Sequence, residues 1–428
     1  MLIETIIGDM LLIMGREKMK NLNQIKDSDP RIIKTENNRK LYIDGQNRNF
    51  SVYSIPLNYL FYNDKNARIA TFINKYKNEN QLDDLDISDV EAYNNIIEKF
   101  IVDSNPEAIK KTKININENT QQIPGIILAD GRIIDGNRRF TCLRQLEREN
   151  PGKVYRFETV ILDDGYENFG KQIKLLELQI QLGAEERVDY SPIDKLVDIY
   201  NSIEIDKLLT IEEYAHTTNI KLSKAKELLM EAQYLVEFLE FINRPGDYYY
   251  ALVNKLDGPL ADIVKILKKE KDEDRREQSK SVLFTNMILR PDGDITRYIR
   301  SVGSILNDKK QGDSFLEDQL DFADKIYEKI HSDGSNNLVD TEGSLIKISS
   351  DEELKKAIRL SKEKHENRIS LADKRQEPID LIIKSKNTIE SIDVSVIQQL
   401  GAAEKCQIKG AVKDILENLK FILEALDV

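Results

Sequence analysis

The residues best placed to do chemistry lie in one short run, Asp130-Gly131-Arg132-Ile133-Ile134-Asp135-Gly136-Asn137-Arg138-Arg139-Phe140, which overlaps a functional centre from Asp135 to Arg144. A strand-like segment ends at Asp135, a glycine permits a tight turn, and Phe140, Leu143 and Leu146 then recur at helical spacing. A helix beginning there presents N–H groups with no intrahelical acceptor and a partial positive charge. Two arginines in its first turn are unfavourable beside that charge unless an anion binds. The pattern therefore predicts a phosphate-binding site at Gly136, Asn137, Arg138 and Arg139. Asp135 is the carboxylate best placed to act as a catalytic base or to hold a metal. The alternative is that Arg138 and Arg139 are a solvated face, or pair with Asp135 and Glu147.

Other chemistries find less support. The two cysteines, Cys142 and Cys406, are far apart, and the three histidines are His216, His331 and His365. Neither a zinc site nor a Cys–His nucleophile can be assembled from them, so no dedicated metal site is expected. Two distant cysteines also suit a reducing, cytoplasmic setting. A net charge of −12 argues against coating nucleic acid by bulk attraction, so any DNA contact must be local. No run reaches the ~20 apolar residues of a membrane helix. The apolar opening of residues 1–18 is broken by Glu4 and Asp9 and lacks a cleavage site. It reads as a short helix or an over-extended start, with Met14 and Met19 as alternative initiators, contributing nothing to the fold.

The elements that must hold the site follow from periodicity. Residues 1–50 form a polar, partly flexible leader with a possible hairpin at Asp44-Gly45. Val52–Leu57 is strand-like and leads into the polar loop Tyr62–Arg68. Ile69–Tyr76 and Val90–Val102 have helical spacing. Ile123–Leu128 and Arg132–Ile134 flank the turn Ala129-Asp130-Gly131 as a hairpin. The helix after Gly136 stops at Pro151-Gly152, and Val154–Leu162 alternates as a strand. This order describes a small mixed α/β domain over 51–170. Beyond Lys171 almost everything reads as helical. A module at 171–245 is followed by a helical extension at 246–331, a linker at 332–344 and a helical C-terminal region at 345–428. Val412, Ile415, Leu416, Leu419, Ile422, Leu423 and Leu426 draw a wide apolar stripe on the last helix, which suggests self-association or docking within the chain.

Several boxes together resemble the ParB and sulfiredoxin superfamily. Asp135–Arg139 resembles its second box, usually Gly-Glu-Arg-Arg, and Tyr62–Arg68 resembles its first, an Asn-rich loop ending in arginine. Pro124-Gly125-Ile126 stands where the family has Pro-Ile-Val. Arg187-Val188-Asp189-Tyr190-Ser191-Pro192-Ile193-Asp194 resembles the junction leading into the ParB helix-turn-helix. The resemblance covers about residues 52–245. It implies a ParB/sulfiredoxin-like α/β domain, an all-α helix-turn-helix domain, and binding of CTP or another NTP with Mg²⁺. Arg68 and Arg187 would join Gly136–Arg139 at the nucleotide. Departures exist: Asn137 replaces the family's Glu, the sulfiredoxin Cys is absent, and Gly183-Ala184 stand where ParB proteins carry Glu-Asn. An NTPase of the ParB CTPase type would therefore have a degenerate hydrolysis motif.

Thr210-Ile211-Glu212-Glu213 is a capping-box pattern that starts a short helix. Asn219-Ile220 makes a turn, and Ser223 is expected to cap a second helix with Ala225, Leu228, Leu229 and Ala232 inward. Lys221, Ser223, Lys224 and Lys226 would then contact duplex DNA. Between Arg187 and Arg244, however, acidic residues outnumber basic ones eleven to seven, so the module is locally acidic. His216 is expected on its surface. Three readings result: a nucleotide-responsive DNA-binding clamp or regulator, as in a mobile-element or defence operon; a kinase or nuclease on the same fold; or an interaction component of a multi-protein system.

Overall fold

Six strands form one mixed sheet in the spatial order β1-β2-β6-β4-β5-β3. The computed structural model describes residues 21–43, 46–162, 170–182, 191–308, 310–332 and 351–426. The expected leader helix at 1–18, Arg187 and the expected linker from 333 onward fall outside them. β1 (Ile33–Ile43) and β2 (Gln46–Pro56) are an antiparallel hairpin whose register closes with Ile43 opposite Gln46; the turn expected at Asp44-Gly45 itself lies outside the described residues. β2 pairs antiparallel with β6 (Arg156–Ile161), which runs parallel to β4 (Gly125–Ile127). β4 pairs antiparallel with β5 (Arg132–Asp135), and the two-residue β3 (Phe61–Tyr62) lies parallel to β5.

Within the polar segment before residue 51, residues 33–43 and 46–50 are thus not a leader but part of the sheet. Most of β1 is exposed, which is why its sequence looks like a loop. Upstream, the single turn α1 (Leu22–Ile25) buries Leu22. The Leu22 N–H donates to the Ala129 carbonyl at 2.7 Å, and Asn23 Nδ2 donates to the Leu162 carbonyl at 2.8 Å.

Adjacent strand residues point to opposite faces, and both faces are covered. Ile127, Ile133, Phe157 and Ile161 enter the larger core beneath α2 (Ala70–Asn80), α3 (Val90–Ser104), α4 (Pro106–Asn119) and α5 (Asn137–Glu149). Their neighbours Ile126, Ile134 and Val160 join Val52 and Leu162 on the other face, where Leu176 of α6 (Gly170–Leu182) packs. α4 carries a helix-start signal, Asn105 at its N-cap and Pro106 in its first turn, but no apolar stripe, because Ile109 and Ile116, two turns apart, are its only buried residues.

Beyond α6 the described chain is helical. α7 (Pro192–Tyr200) leads to α8 (Ile211–Thr217) and α9 (Leu222–Phe241). Next come α10 (Tyr248–Val253), α11 (Asp257–Leu267), α12 (Glu273–Leu289), α13 (Ile295–Leu306) and α14 (Gly312–Ser332). The chain divides into two units, Met1–Lys362 and Glu363–Val428. α15 (Glu352–Glu390) runs through the division, and α16 (Val394–Gln399) and α17 (Ala402–Leu426) belong to the second unit.

The capping box forms as expected: the Glu213 N–H donates to Thr210 Oγ1 at 3.2 Å and the Thr210 N–H to Glu213 Oε2 at 2.9 Å. Asn219 makes the turn with φ of 55°. Ser223 is not the cap, however. α9 begins two residues earlier, with Lys221 at the N-cap position and no side-chain cap. Ala225 and Ala232 are buried, whereas Leu228 and Leu229 are half-buried. α10 rests on α2 through a Phe72–Tyr249 edge contact with ring centroids 5.5 Å apart.

Phe157 sits where both hairpins and α5 converge. A Cβ at Gly125 would come within 2.3 Å of its ring and one at Gly136 within 2.7 Å. Phe140 packs edge-on against it at 5.9 Å, and Tyr62 against Phe140 at 4.9 Å. Phe157→Ala is expected to cost about 3–5 kcal/mol in urea unfolding; a loss below about 1 kcal/mol would contradict this packing.

Candidate functional site

The turn from β5 into α5 is built on Gly136, at φ 107° and ψ 16°. A side chain there would be strained by the left-handed backbone and driven into Phe157. No capping side chain takes the first-turn amides of α5. Helix starts of this kind favour anions.

Asp135 closes the strand and ties two guanidinium groups together. Its Oδ2 accepts from Arg139 Nη2 at 3.1 Å and from Arg39 Nη2 at 3.0 Å. Arg139 Nη1 also donates to the Ile123 carbonyl, and Arg39 Nη1 to that of Pro124. The Arg139–Asp135 pairing foreseen as the alternative thus occurs, and it fixes the guanidinium at the helix start. Glu147 Oε1 accepts the Tyr155 N–H at 3.3 Å. Arg39 was invisible in sequence, because nothing in its polar run sets one arginine apart from the neighbouring lysines and asparagines.

A cavity of about 370 Å³ opens at this turn. Arg68, Asp135, Gly136, Asn137, Arg138 and Arg139 all line it, so the residues predicted for the phosphate site come together where the chain is described. Arg68 arrives on a single 3-10 turn, Ala67–Ile69, capped by Asn66, whose Oδ1 accepts the Arg68 N–H at 3.1 Å. Ile69, Phe72, Ile101 and Leu252 add an apolar wall. Such a site can hold a compact anion with an apolar body attached.

Arg144 departs from the expected functional stretch. It is buried beneath α3, with Nε 2.8 Å from Glu98 Oε2 and Nη2 3.0 Å from Glu91 Oε1. Its role is to hold α5 to α3.

Two residues of α7 complete the cavity and were not singled out as site residues, Ser191 at its N-cap and Asp194 in its first turn. An acidic residue in a first turn after proline is ordinary helix-start composition, so the sequence offered no reason to choose it. Asp194 is only 3% exposed, and its Oδ1 has no hydrogen-bond partner. The same holds for the buried Asn137 Oδ1 and Ser191 Oγ. Burial pushes the Asp194 carboxyl up to about 7, with nearby Thr71 acting in the opposite direction and Asp198 adding to the rise. Glu177 of α6 is likewise pushed up to about 7 by burial, against the pull of Lys174. It accepts a hydrogen bond from Asn63 Nδ2.

The four α9 residues stand apart from this cavity. Lys221, Ser223, Lys224 and Lys226 are all exposed, as is His216 on α8. Lys224 Nζ is 3.7 Å from Glu231 Oε1 and 4.0 Å from Glu227 Oε2, so part of its charge is met within the helix. Among the described residues no group of three or more His, Cys, Asp or Glu is gathered to hold a metal.

No family model matches this chain, and no curated protein is similar to it. The site is therefore read from its own geometry. Because the folded state raises the Asp194 pKa from 3.8, it favours the neutral carboxyl. That stabilising contribution is complete below about pH 4 and is lost as the pH rises to about 7. Asp194→Asn should melt at a higher temperature than the parent at pH 8 and at a similar one at pH 4. An equal difference at both values would contradict the assignment.

Proposed function

We propose that this chain is a ParB-like, nucleotide-responsive DNA-binding protein, acting as a clamp or regulator. The observation that carries the reading is the convergence of Arg68, Arg138 and Arg139 on one cavity at the Gly136 helix start. Three guanidinium side chains and a run of first-turn amides suit the phosphates of a nucleotide such as CTP or another NTP. The apolar wall suits its base. A Mg²⁺ ion carried with the phosphates calls for oxygen ligands, and Asn137 Oδ1 and Asp194 Oδ1 are of the right kind. In this reading Asp135 positions Arg139, since its Oδ2 is committed to two arginines. The kinase or nuclease alternative, which needs Asp135 as its base or metal ligand, is weakened by the same contacts.

The DNA part of the proposal rests on the capped helix-turn-helix of α8 and α9 and its exposed lysines. Glu227 and Glu231 beside Lys224 argue for few phosphate contacts.

Two expected outcomes follow. A nucleotide at 100 times its dissociation constant should stabilise the protein by about 2.7 kcal/mol, and Arg139→Ala should remove that shift while leaving the fold intact. Equal stabilisation of parent and variant by every NTP tried would defeat the nucleotide assignment. Separately, duplex DNA binding should show a shallow salt dependence, about −0.9 per phosphate contact, and should vanish when Lys221, Lys224 and Lys226 are all replaced by alanine. If the triple variant binds as well as the parent, α8 and α9 serve packing or a protein partner, and the interaction reading leads.

A further inference from the structure

The last helix carries a coiled-coil seam. Ile408, Val412, Ile415, Leu419, Ile422 and Leu426 follow one another at alternating intervals of four and three residues, the a and d positions of a heptad. Isoleucine occupies every d position, at 408, 415 and 422. The a positions are Val412, Leu419 and Leu426. Leu416 and Leu423 fall at e and widen the stripe, while Ala411 and Ala425 at g leave room for close approach. Lys413, Glu417, Lys420 and Glu424 stand at positions b and f and Asp414 at c, away from the seam, and Lys409 at the first e borders it. Within its own unit α17 buries none of its residues, and Leu423 and Leu426 are 60% and 73% exposed.

The geometry points to three further copies of the same helix as the occupant of this face, giving a tetramer held by α17. Three observations favour copies of this chain over another partner. A continuous a/d seam is self-complementary, so each knob has an equivalent hole on an identical helix. The choice of side chains specifies number: leucine at a with isoleucine at d favours bundles of three or four helices over two. Two of the three e positions, Leu416 and Leu423, are apolar and widen the buried face toward what four helices require, while the first, Lys409, is charged. The eight large apolar residues at a, d and e can bury on the order of 60–120 Å² each. That is roughly 500–1,000 Å² per copy, in the range of the ~800 Å² per partner of a stable interface.

Light scattering on the full-length protein tests this, with the expected mass being four chains. Exchanging the two layers, with isoleucine at 412, 419 and 426 and leucine at 408, 415 and 422, adds only one methylene, at Val412, while reversing the preference toward two strands. The exchanged protein should fall to two chains with unchanged helical circular dichroism. Glu417→Lys, on the outer face, should leave four. A parent mass of one, two or three chains overturns the proposal; a monomer would place another occupant on the seam. A tetramer that persists after the layer exchange also overturns it, because assembly would then rest elsewhere.

Discussion

The Phe157 ring lies against the backbone of Gly125 and Gly136, and this contact determines what the rest of the site can be. The ring occupies the space where a side chain at either position would stand. Only glycine can therefore turn the chain from β5 into α5 at that point, and the turn sets the helix start under the cavity. The contact extends through Phe140 to Tyr62, whose hydroxyl lies 2.8 Å from Thr141 Oγ1. A single buried aromatic column thus anchors the loop after β3, the first turns of α5 and the centre of the sheet. Arg68 and the Gly136 turn are brought to one cavity because that column leaves them little freedom to separate.

Charge is arranged around this scaffold at some cost. Cations near a helix start oppose its partial positive charge, by about 0.3–1 kcal/mol each. Asp135 offsets part of that cost by lying between Arg139 and Arg39. The carboxylate also orients Arg139, which keeps its guanidinium at the cavity mouth. Asp194 makes the opposite compromise, a buried carboxyl with an unpartnered oxygen at the cavity wall. Buried polar atoms without partners are uncommon in folded proteins, and their clustering where the arginines converge is what a ligand-binding region shows.

Much of this was legible in the sequence because one segment changes its period. Ile126/Ile127 and Ile133/Ile134 alternate between the two sheet faces, and Phe140, Leu143 and Leu146 switch to helical spacing at the glycine. A change of period at a glycine followed by arginines is a local signal. The rest is not local. Arg39 reaches Asp135 across 96 residues of sequence, and Asp194 joins the cavity only because α7 packs beside the Ala67–Ile69 turn. The β1–β2 hairpin reads as polar loop because most of β1 faces solvent, and α4 buries too few residues to show a stripe. The α9 start shifted by two residues because Ser223 offered a familiar cap that the turn at Asn219 left inside the helix.

The proposed nucleotide site requires that the Gly136 helix start receive phosphate. Backbone amide resonances of Gly136, Asn137 and Arg138, followed during titration with inorganic tripolyphosphate, report on that contact directly. The account predicts saturable shifts centred on these amides and on the Arg68 and Arg139 side chains, with α8 and α9 unmoved by the anion alone. Shifts confined to Lys221, Lys224 and Lys226, or none at Gly136 and Asn137 at saturating anion, would contradict it.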